Sequence, residues 1–322
     1  MVGAGIHGLS AARRLAEAGH RIVLFDPRPI GHGLGSSHGP SRIVRRAYPD
    51  AYHTRLMSEA YPLWRELERA GGQSLFHEVG LLCFGPKEGE YVAGLSQALA
   101  SQGVEHDVLR PEEALDKMPS LQLASDEGAV FVPEAGWVAA DAALQTTYQL
   151  ALAAGVEHVP SKATGLNAFD RVIVCAGPWA RRFWPEAPVR ITLQATAHIV
   201  ADLIGPVWIE DGPDLLYGFP SVGPGAKIGV HRPGREVDPD DPSREPPEEM
   251  IASIRGFAAR RLGIEEPEVV QATGCLYTVT PDEGFLFHPL DERTLVVSAC
   301  SGHGFKFGPW VGMKIAEAMG RS

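Results

Sequence analysis

The sequence predicts an α/β protein whose first domain is interrupted by a second, α+β domain. Three observations predict this. A glycine-rich turn, Gly3-Ala4-Gly5-Ile6-His7-Gly8, stands at the start. Buried-strand runs recur far downstream, at Arg171 to Cys175 and Thr294 to Val297. Strand-rich segments fill the interval. On this reading residues 1–75, 136–188 and 286–322 form a discontinuous nucleotide-binding domain. Residues 76–135 and 189–285 form an inserted domain on a mixed or antiparallel sheet. The active site is expected between them, where pockets form.

The opening turn has the context that a bare GxGxxG lacks. Leu9 to Ala18 reads as an amphipathic helix, and Gly19 is placed to end it. Arg21 to Phe25 reads as a buried strand ending at Asp26, 18 positions after Gly8, close to the spacing of a Rossmann-like dinucleotide site. Gly3 allows the tight turn, Gly5 lets the backbone approach a pyrophosphate, and Gly8 lets the helix pack on its strand. Asp26 can accept from a ribose hydroxyl. Only Met1 and Val2 precede Gly3, where a strand typically has about 5–6 residues. Either the chain begins a few residues inside its natural domain, or a partly built first strand suffices.

Further along, Ile30 to His38 is a glycine- and serine-rich loop. Ala51 to Ala70 is a helix ended by Gly71-Gly72, Leu81 to Phe84 a strand, and Tyr91 to Gln102 a helix stopped by Gly103. Pro111 to Met118 is a short acidic helix. Ala129 to Val132 is a strand, after which Gly136-Trp137 breaks the structure. Asp141 caps a long helix ending at Gly155. The strand at Arg171 to Cys175 runs into Ala176-Gly177-Pro178-Trp179. Ile191 to Val200, Pro206 to Ile209 and Lys227 to His231 are strands. Residues 232–249 are a proline-rich acidic loop, Pro247 to Arg261 closes with a helix, and Trp310 to Met319 is the last helix.

Composition narrows the function. The chain has 322 residues, 44% hydrophobic and 21% charged, with net charge −11. That is an ordinary globular balance, and no basic stripe suggests nucleic acid. Cys83, Cys175, Cys275 and Cys300 form no CxxC pair, which argues against a disulfide framework and a zinc site. No run reaches the roughly 20 apolar residues of a membrane span. Without a leader segment ahead of the first motif, the cytoplasm is expected.

Four segments, in order along the chain, resemble the flavin-dependent amine oxidases related to monomeric sarcosine oxidase and N-methyltryptophan oxidase. They are Gly3 to Asp26, Gly35-Ser36-Ser37-His38-Gly39-Pro40-Ser41-Arg42-Ile43-Val44-Arg45, and Tyr217-Gly218-Phe219-Pro220 through Lys227 and His231. The fourth is Gly274-Cys275-Leu276-Tyr277-Thr278-Val279-Thr280-Pro281-Asp282-Glu283, followed by Ser301-Gly302-His303-Gly304-Phe305-Lys306. The chain departs from that pattern at its clipped first strand and between His158 and Asp170, where the family carries extra strands.

The resemblance implies FAD, with a thioether from Cys275 to the flavin ring. The alternative for Cys275 is a buried, inert thiol. It implies that Arg45 and Lys306 grip a substrate carboxylate, two cations providing orientation. Lys227 would help oxygen accept electrons. Arg42 and His38 would lie near the flavin, and Tyr217, Tyr277 and His231 would line the substrate pocket. Gly302, His303, Gly304 and Phe305 would form a turn against the cofactor, with Ser41 and Gly177 also on its side. The implied reaction is oxidation of a secondary amino acid, such as sarcosine, to an imine by a monomer, with O2 reduced to H2O2. Three other readings stay open: a dehydrogenase with another electron acceptor, a flavin-binding protein without turnover, and an NAD-dependent dehydrogenase. The last leaves the GHGFK segment without a role.

Overall fold

A computed structural model describes residues 1–319 of the chain; residues 320–322, the end of the predicted 286–322 segment, lie outside the described residues. The α/β class is borne out. A parallel layer forms around the opening turn. Val23–Phe25 pairs in parallel with Glu157–Val159, and Val172–Val174 pairs in parallel with Thr294–Ser298. Val2 bridges the two pairs, bonding in parallel to Phe25 and to Val174. The clipped strand is therefore present as a single buried residue, and it completes the layer. The N-terminal amine donates to Val23 O at 2.8 Å, and Val2 N donates to Ile173 O at 2.9 Å.

The helices Ile6–Glu17 and Gly308–Met319 pack face to face beside this layer. Their approach is close because Gly308 and Gly312 lack side chains. A Cβ on Gly308 would lie 2.4 Å from the Ile6 side chain, and one on Gly312 would lie 2.6 Å from the Ser10 backbone. Ala51–Gly71 and Ala140–Ala153 enclose the same core, with Trp64, Met57 and Leu9 fully buried.

The second layer is an eight-stranded mixed sheet. Its order is Val269–Val279, Arg190–Ile199, Ala226–Val230, Leu216–Ser221, Val207–Glu210, Leu81–Pro86, Glu127–Val132 and Asp107–Leu109. Neighbours are antiparallel except Val207–Glu210 with Leu81–Pro86. Because strand side chains alternate between faces, Ala195, Ala197, Ile228 and Val230 turn to one side. There the helix Glu248–Leu262 covers them, with Phe257 stacked on Trp208 at 4.2 Å. The other face carries His198, Lys227, Cys275 and Tyr277 into a cavity.

Several local expectations are corrected. Gly136-Trp137 does not break the chain. Gly136–Ala139 is the central strand of a three-stranded sheet with Ser41–Val44 and Phe76–His77. Gly136 is needed there because a Cβ would meet His77 O at 2.0 Å. Asp141 does not cap its helix. The cap position is Ala139, and the Asp141 carboxylate accepts from Gly39 N at 2.8 Å, tying down the serine-rich loop instead. The helix over 91–102 begins as a π turn, Glu90–Gly94, before Leu95–Ser101. Lys306 lies in a 3-10 turn, Gly304–Phe307, and the last helix begins at Gly308. The 11-residue strand Val269–Val279, which holds Cys275, is absent from the sequence reading. Its cavity-facing Gln271 and Thr273 are polar, and Gly274 interrupts the pattern.

Candidate active site

The glycine turn forms as its spacing predicts. Gly3 adopts φ 95°, and a Cβ there would meet Cys175 O at 2.4 Å. The Asp26 carboxylate accepts from Ala4 N at 2.8 Å and from Arg28 N at 3.0 Å, which locks the turn to the end of its strand. Ser37 Oγ accepts from Ile6 N at 3.1 Å, so the serine-rich loop is pinned to the start of the first helix.

From this turn a cavity of about 520 Å³ runs to the inner face of the eight-stranded sheet. Gly3, Gly5, Asp26, His38 and Gly177 line its first part. Arg42, Arg45, Tyr217, Lys227, His231, Cys275 and Tyr277 line its second part, with Gly302, His303, Gly304, Phe305 and Lys306. Two expected residues are not on its wall. Gly8 is consumed by helix packing. Ser41 is 1% exposed, and its carbonyl accepts from Lys227 Nζ at 2.9 Å.

The cavity is strongly cationic in a chain of net charge −11. Four cations face its second part, and their partners are neutral. Arg42 donates to the carbonyls of His38 at 2.6 Å, Ser41 at 2.9 Å and Ser36 at 3.1 Å. Lys227 bonds Ser41 and lies 4.8 Å from the Phe219 ring centroid. Lys306 Nζ donates to His303 O at 2.8 Å and Tyr48 Oη at 3.1 Å. Arg45 lies over the Tyr48 ring at 4.0 Å, and its Nη1 is buried without a hydrogen-bond partner. Burial, followed by repulsion from Arg42, pulls Lys227 down to about 7. Burial, then Arg45 and Arg42, holds Lys306 well below the usual lysine range. Buried cations without anions are costly. Such a pocket is built for a negatively charged occupant.

The histidines are neutral for related reasons. Burial pushes His231 down to about 4, with Arg45 and Lys306 adding to it; burial and Arg42 do the same to His38. Burial raises the Cys275 thiol, while Arg42 and Lys227 pull it back. Burial also raises Tyr217 to about 12. Gly302, at φ 76°, fits beside Tyr277 and His231, where a Cβ would stand 2.3 Å from the tyrosine ring. Gly304 is as crowded: a Cβ would lie 1.6 Å from Ala299 O.

A scan against family models matches residues 1–318 to the FAD dependent oxidoreductase family. The chain belongs to the FAD dependent oxidoreductase family. Monomeric sarcosine oxidase from Bacillus sp. (strain NS-129) is 30% identical, over 98% of this chain and 91% of its own length. Peroxisomal sarcosine oxidase of Homo sapiens is also 30% identical, over 98% and 90%. Among solved structures, L-proline dehydrogenase from P. horikoshii superposes with a TM-score of 0.85 at 21% identity, over 99% of this chain and 92% of that one. The resemblance read from the four motifs is borne out, and the chain is an FAD-dependent oxidoreductase.

The residues present fit that cofactor. The glycine turn leaves the space a dinucleotide needs. The cations of the second part, whose partners are neutral, suit an anionic group. His38 Nδ1 and Arg45 Nη1 are buried polar atoms awaiting a partner. Sequence reasoning missed four residues that shape the site. Tyr48 supports both Arg45 and Lys306. His7 Nε2 pairs with Gly304 O at 3.1 Å, and Trp64 Nε1 donates to Lys306 O at 2.7 Å. Asp141 holds Gly39. His7 sits inside the glycine motif and Tyr48 three positions after Arg45, but nothing in one dimension shows what they face. No described helix is long and apolar enough to cross a membrane.

Proposed function

We propose that this enzyme oxidises a secondary amino acid, such as sarcosine, to the imine, with O2 reduced to H2O2. The observation that carries the reading is the pair of buried cations, Arg45 and Lys306, whose partners in the cavity are neutral. FAD, when bound, supplies the two-electron acceptor for the substrate carbon. The turn at Gly3, Gly5 and Asp26, with His38, Arg42, Gly177 and the 302–305 segment, would hold it, and Cys275 would be the residue to attach it through a thioether.

Arg45 and Lys306 orient the carboxylate by charge-assisted hydrogen bonds. Tyr217, Tyr277 and His231 enclose the amine end. Because His231 is neutral above about 4, it adds no charge of its own and can accept a hydrogen bond from the amine, while the cations Arg45 and Lys306 beside it disfavour a further positive charge and so favour the deprotonated amine that oxidation requires. Lys227 would supply the positive charge that stabilises negative charge developing on oxygen. The same four cations support an acid substrate over a simple amine. The division into a cofactor domain (1–75, 136–188, 286–322) and an inserted substrate domain (76–135, 189–285) is part of this proposal. It is supported by the eight-stranded sheet, whose strands lie between residues 81 and 132 and between 190 and 279.

The test compares sarcosine with its methyl ester. Lys306→Met should raise the KM for sarcosine by about tenfold or more, the worth of a hydrogen bond to a charged group, and leave the ester nearly unchanged. Equal effects on both would sink the carboxylate reading. Stoichiometric H2O2 in the same assay supports oxygen as the acceptor; turnover only with an artificial acceptor points to a dehydrogenase.

A further inference from the structure

Behind Lys306, side chains from three parts of the chain form one hydrogen-bonded line. His303 Nε2 is 3.1 Å from Glu283 O, and His303 Nδ1 is 3.0 Å from Tyr48 Oη. Tyr48 Oη is in turn 3.1 Å from Lys306 Nζ. A carbonyl oxygen only accepts, so Nε2 carries a proton. Burial and the neighbouring Lys306 charge hold the imidazole well below its ordinary pKa, so it carries one proton and Nδ1 is a lone pair. Nδ1 therefore takes the single Tyr48 proton. The Tyr48 oxygen has only lone pairs left to offer Lys306. Every link then has one direction, from Lys306 to Tyr48, to His303, to Glu283.

The geometry points to Tyr48 and His303 as positioning residues: the His303 tautomer turns the Tyr48 lone pairs toward Lys306 and holds its ammonium with one proton left for the cavity. The inference rests on the reading of Lys306 as a carboxylate ligand. The surroundings suit the role. The Tyr48 ring is clamped between the Arg45 guanidinium, at 4.0 Å, and the His53 ring, stacked at 5.0 Å. The Tyr48 hydroxyl is therefore placed by its ring and not by the bonds it makes. The other anchor is equally built. Glu283, whose carbonyl fixes the tautomer, adopts φ 55°, a left-handed conformation unusual for a residue with a side chain. The His303 carbonyl takes a second Lys306 proton at 2.8 Å, so one residue holds the ammonium through both its backbone and its ring.

The experiment uses the holoenzyme, with sarcosine and its methyl ester, in Tyr48→Phe, His303→Asn, His303→Gln and Lys306→Met. Asparagine puts an acceptor oxygen where Nδ1 stood; glutamine puts a donor nitrogen where Nε2 stood. Tyr48→Phe and His303→Gln should raise KM for sarcosine about tenfold, far more than KM for the ester. His303→Asn, which keeps the acceptor, should raise KM for sarcosine clearly less than His303→Gln. The reverse order of the two histidine variants, or a Tyr48→Phe enzyme with unaltered KM, overturns the inference. Lys306→Met separates the two claims: if it affects acid and ester alike, the carboxylate reading fails by itself. The tautomer is then read directly, from long-range 1H–15N correlations of the histidine rings at pH 7, with His303→Asn for assignment. The proton should be on Nε2, and Tyr48→Phe should move the Nδ1 resonance toward that of a free nitrogen. A proton on Nδ1, or an Nδ1 resonance indifferent to Tyr48, overturns the inference whatever Lys306 binds.

Discussion

Lys227 Nζ donates to the carbonyl oxygen of Ser41 at 2.9 Å, across a junction between two sheets. Lys227 comes from the strand Ala226–Val230 of the eight-stranded sheet, and Ser41 from the strand Ser41–Val44 beside Gly136–Ala139. The bond holds a buried ammonium at the cavity wall near Cys275 and Arg42, which both act on its charge.

That placement makes oxygen reactivity the property to measure. Lys227→Met should slow reoxidation of the reduced enzyme by about 100-fold, the scale for removing one preorganised charge stabiliser, and leave reduction by substrate little changed. The pH dependence has a definite sign. Burial lowers this lysine to about 7, so the ammonium predominates below that pH, and the reoxidation rate should fall as pH rises through it. Stopped-flow reoxidation from pH 6 to 9 checks both.

Cys275 faces the cavity from the strand Val269–Val279. Acid precipitation of wild-type protein should leave the yellow colour in the pellet, and Cys275→Ala should release it to the supernatant. Colour in the wild-type supernatant would overturn the thioether. Cys83 and Cys175 are buried thiols that burial pushes up to about 12. Their alanine variants should leave colour retention unchanged.

His38 and His231 are both lowered to about 4 by burial, with cations adding to it. Their unfolded-state value is near 6.5, so between about 6.5 and 4 the unfolded chain binds protons that the folded chain does not. Folding stability should fall as pH drops through that window. His231→Asn should flatten the slope in a denaturation series at pH 4 to 7. An unchanged slope would mean that His231 titrates normally.

Arg261 joins two carboxylates beneath the sheet. It reaches Glu127 at 2.6 Å and Glu210 at 2.7 Å, and all three side chains are at least 85% buried. Arg261→Met leaves Glu127 without its cation and Glu210 with only Arg260 at 3.5 Å, and should cost about 3 kcal/mol, the low end for breaking a buried pair. Arg261 is the main reason Glu127 lies below the usual carboxylate range. The stabilisation is therefore present above pH 4.5 and is lost as pH falls through the lowered value. Chemical denaturation of wild type and variant at pH 7 and pH 4 measures the difference, which should shrink at the lower pH.

The residues around the glycine turn and the GHGFK segment were legible in one dimension because their signals are local. Gly8 and Gly304 mark positions where a side chain would strike a nearby backbone atom, Gly3 O and Ala299 O. Helix ends at Gly19, Gly72 and Gly103 follow from the left-handed conformations that glycine takes easily. Arg45 and Lys306 were singled out through family resemblance, and both face the cavity.

The sequence by itself determined the fold class, the family and the kinds of side chain at the site, since each depends on short-range spacing and repeated motifs. Tertiary structure alone decided how those side chains are held. Tyr48 and His303 are 255 positions apart, and Lys227 and Ser41 are 186; neither distance leaves a periodic trace. The same cause explains Asp141, which looked like a helix cap until Gly39 was seen against it. It explains Val2, a single residue that forms a strand because two others already flank it. Hydrogen-bond partners and burial depend on which surfaces meet, and that is set by the packing of sheets against helices, not by the order of residues along one of them.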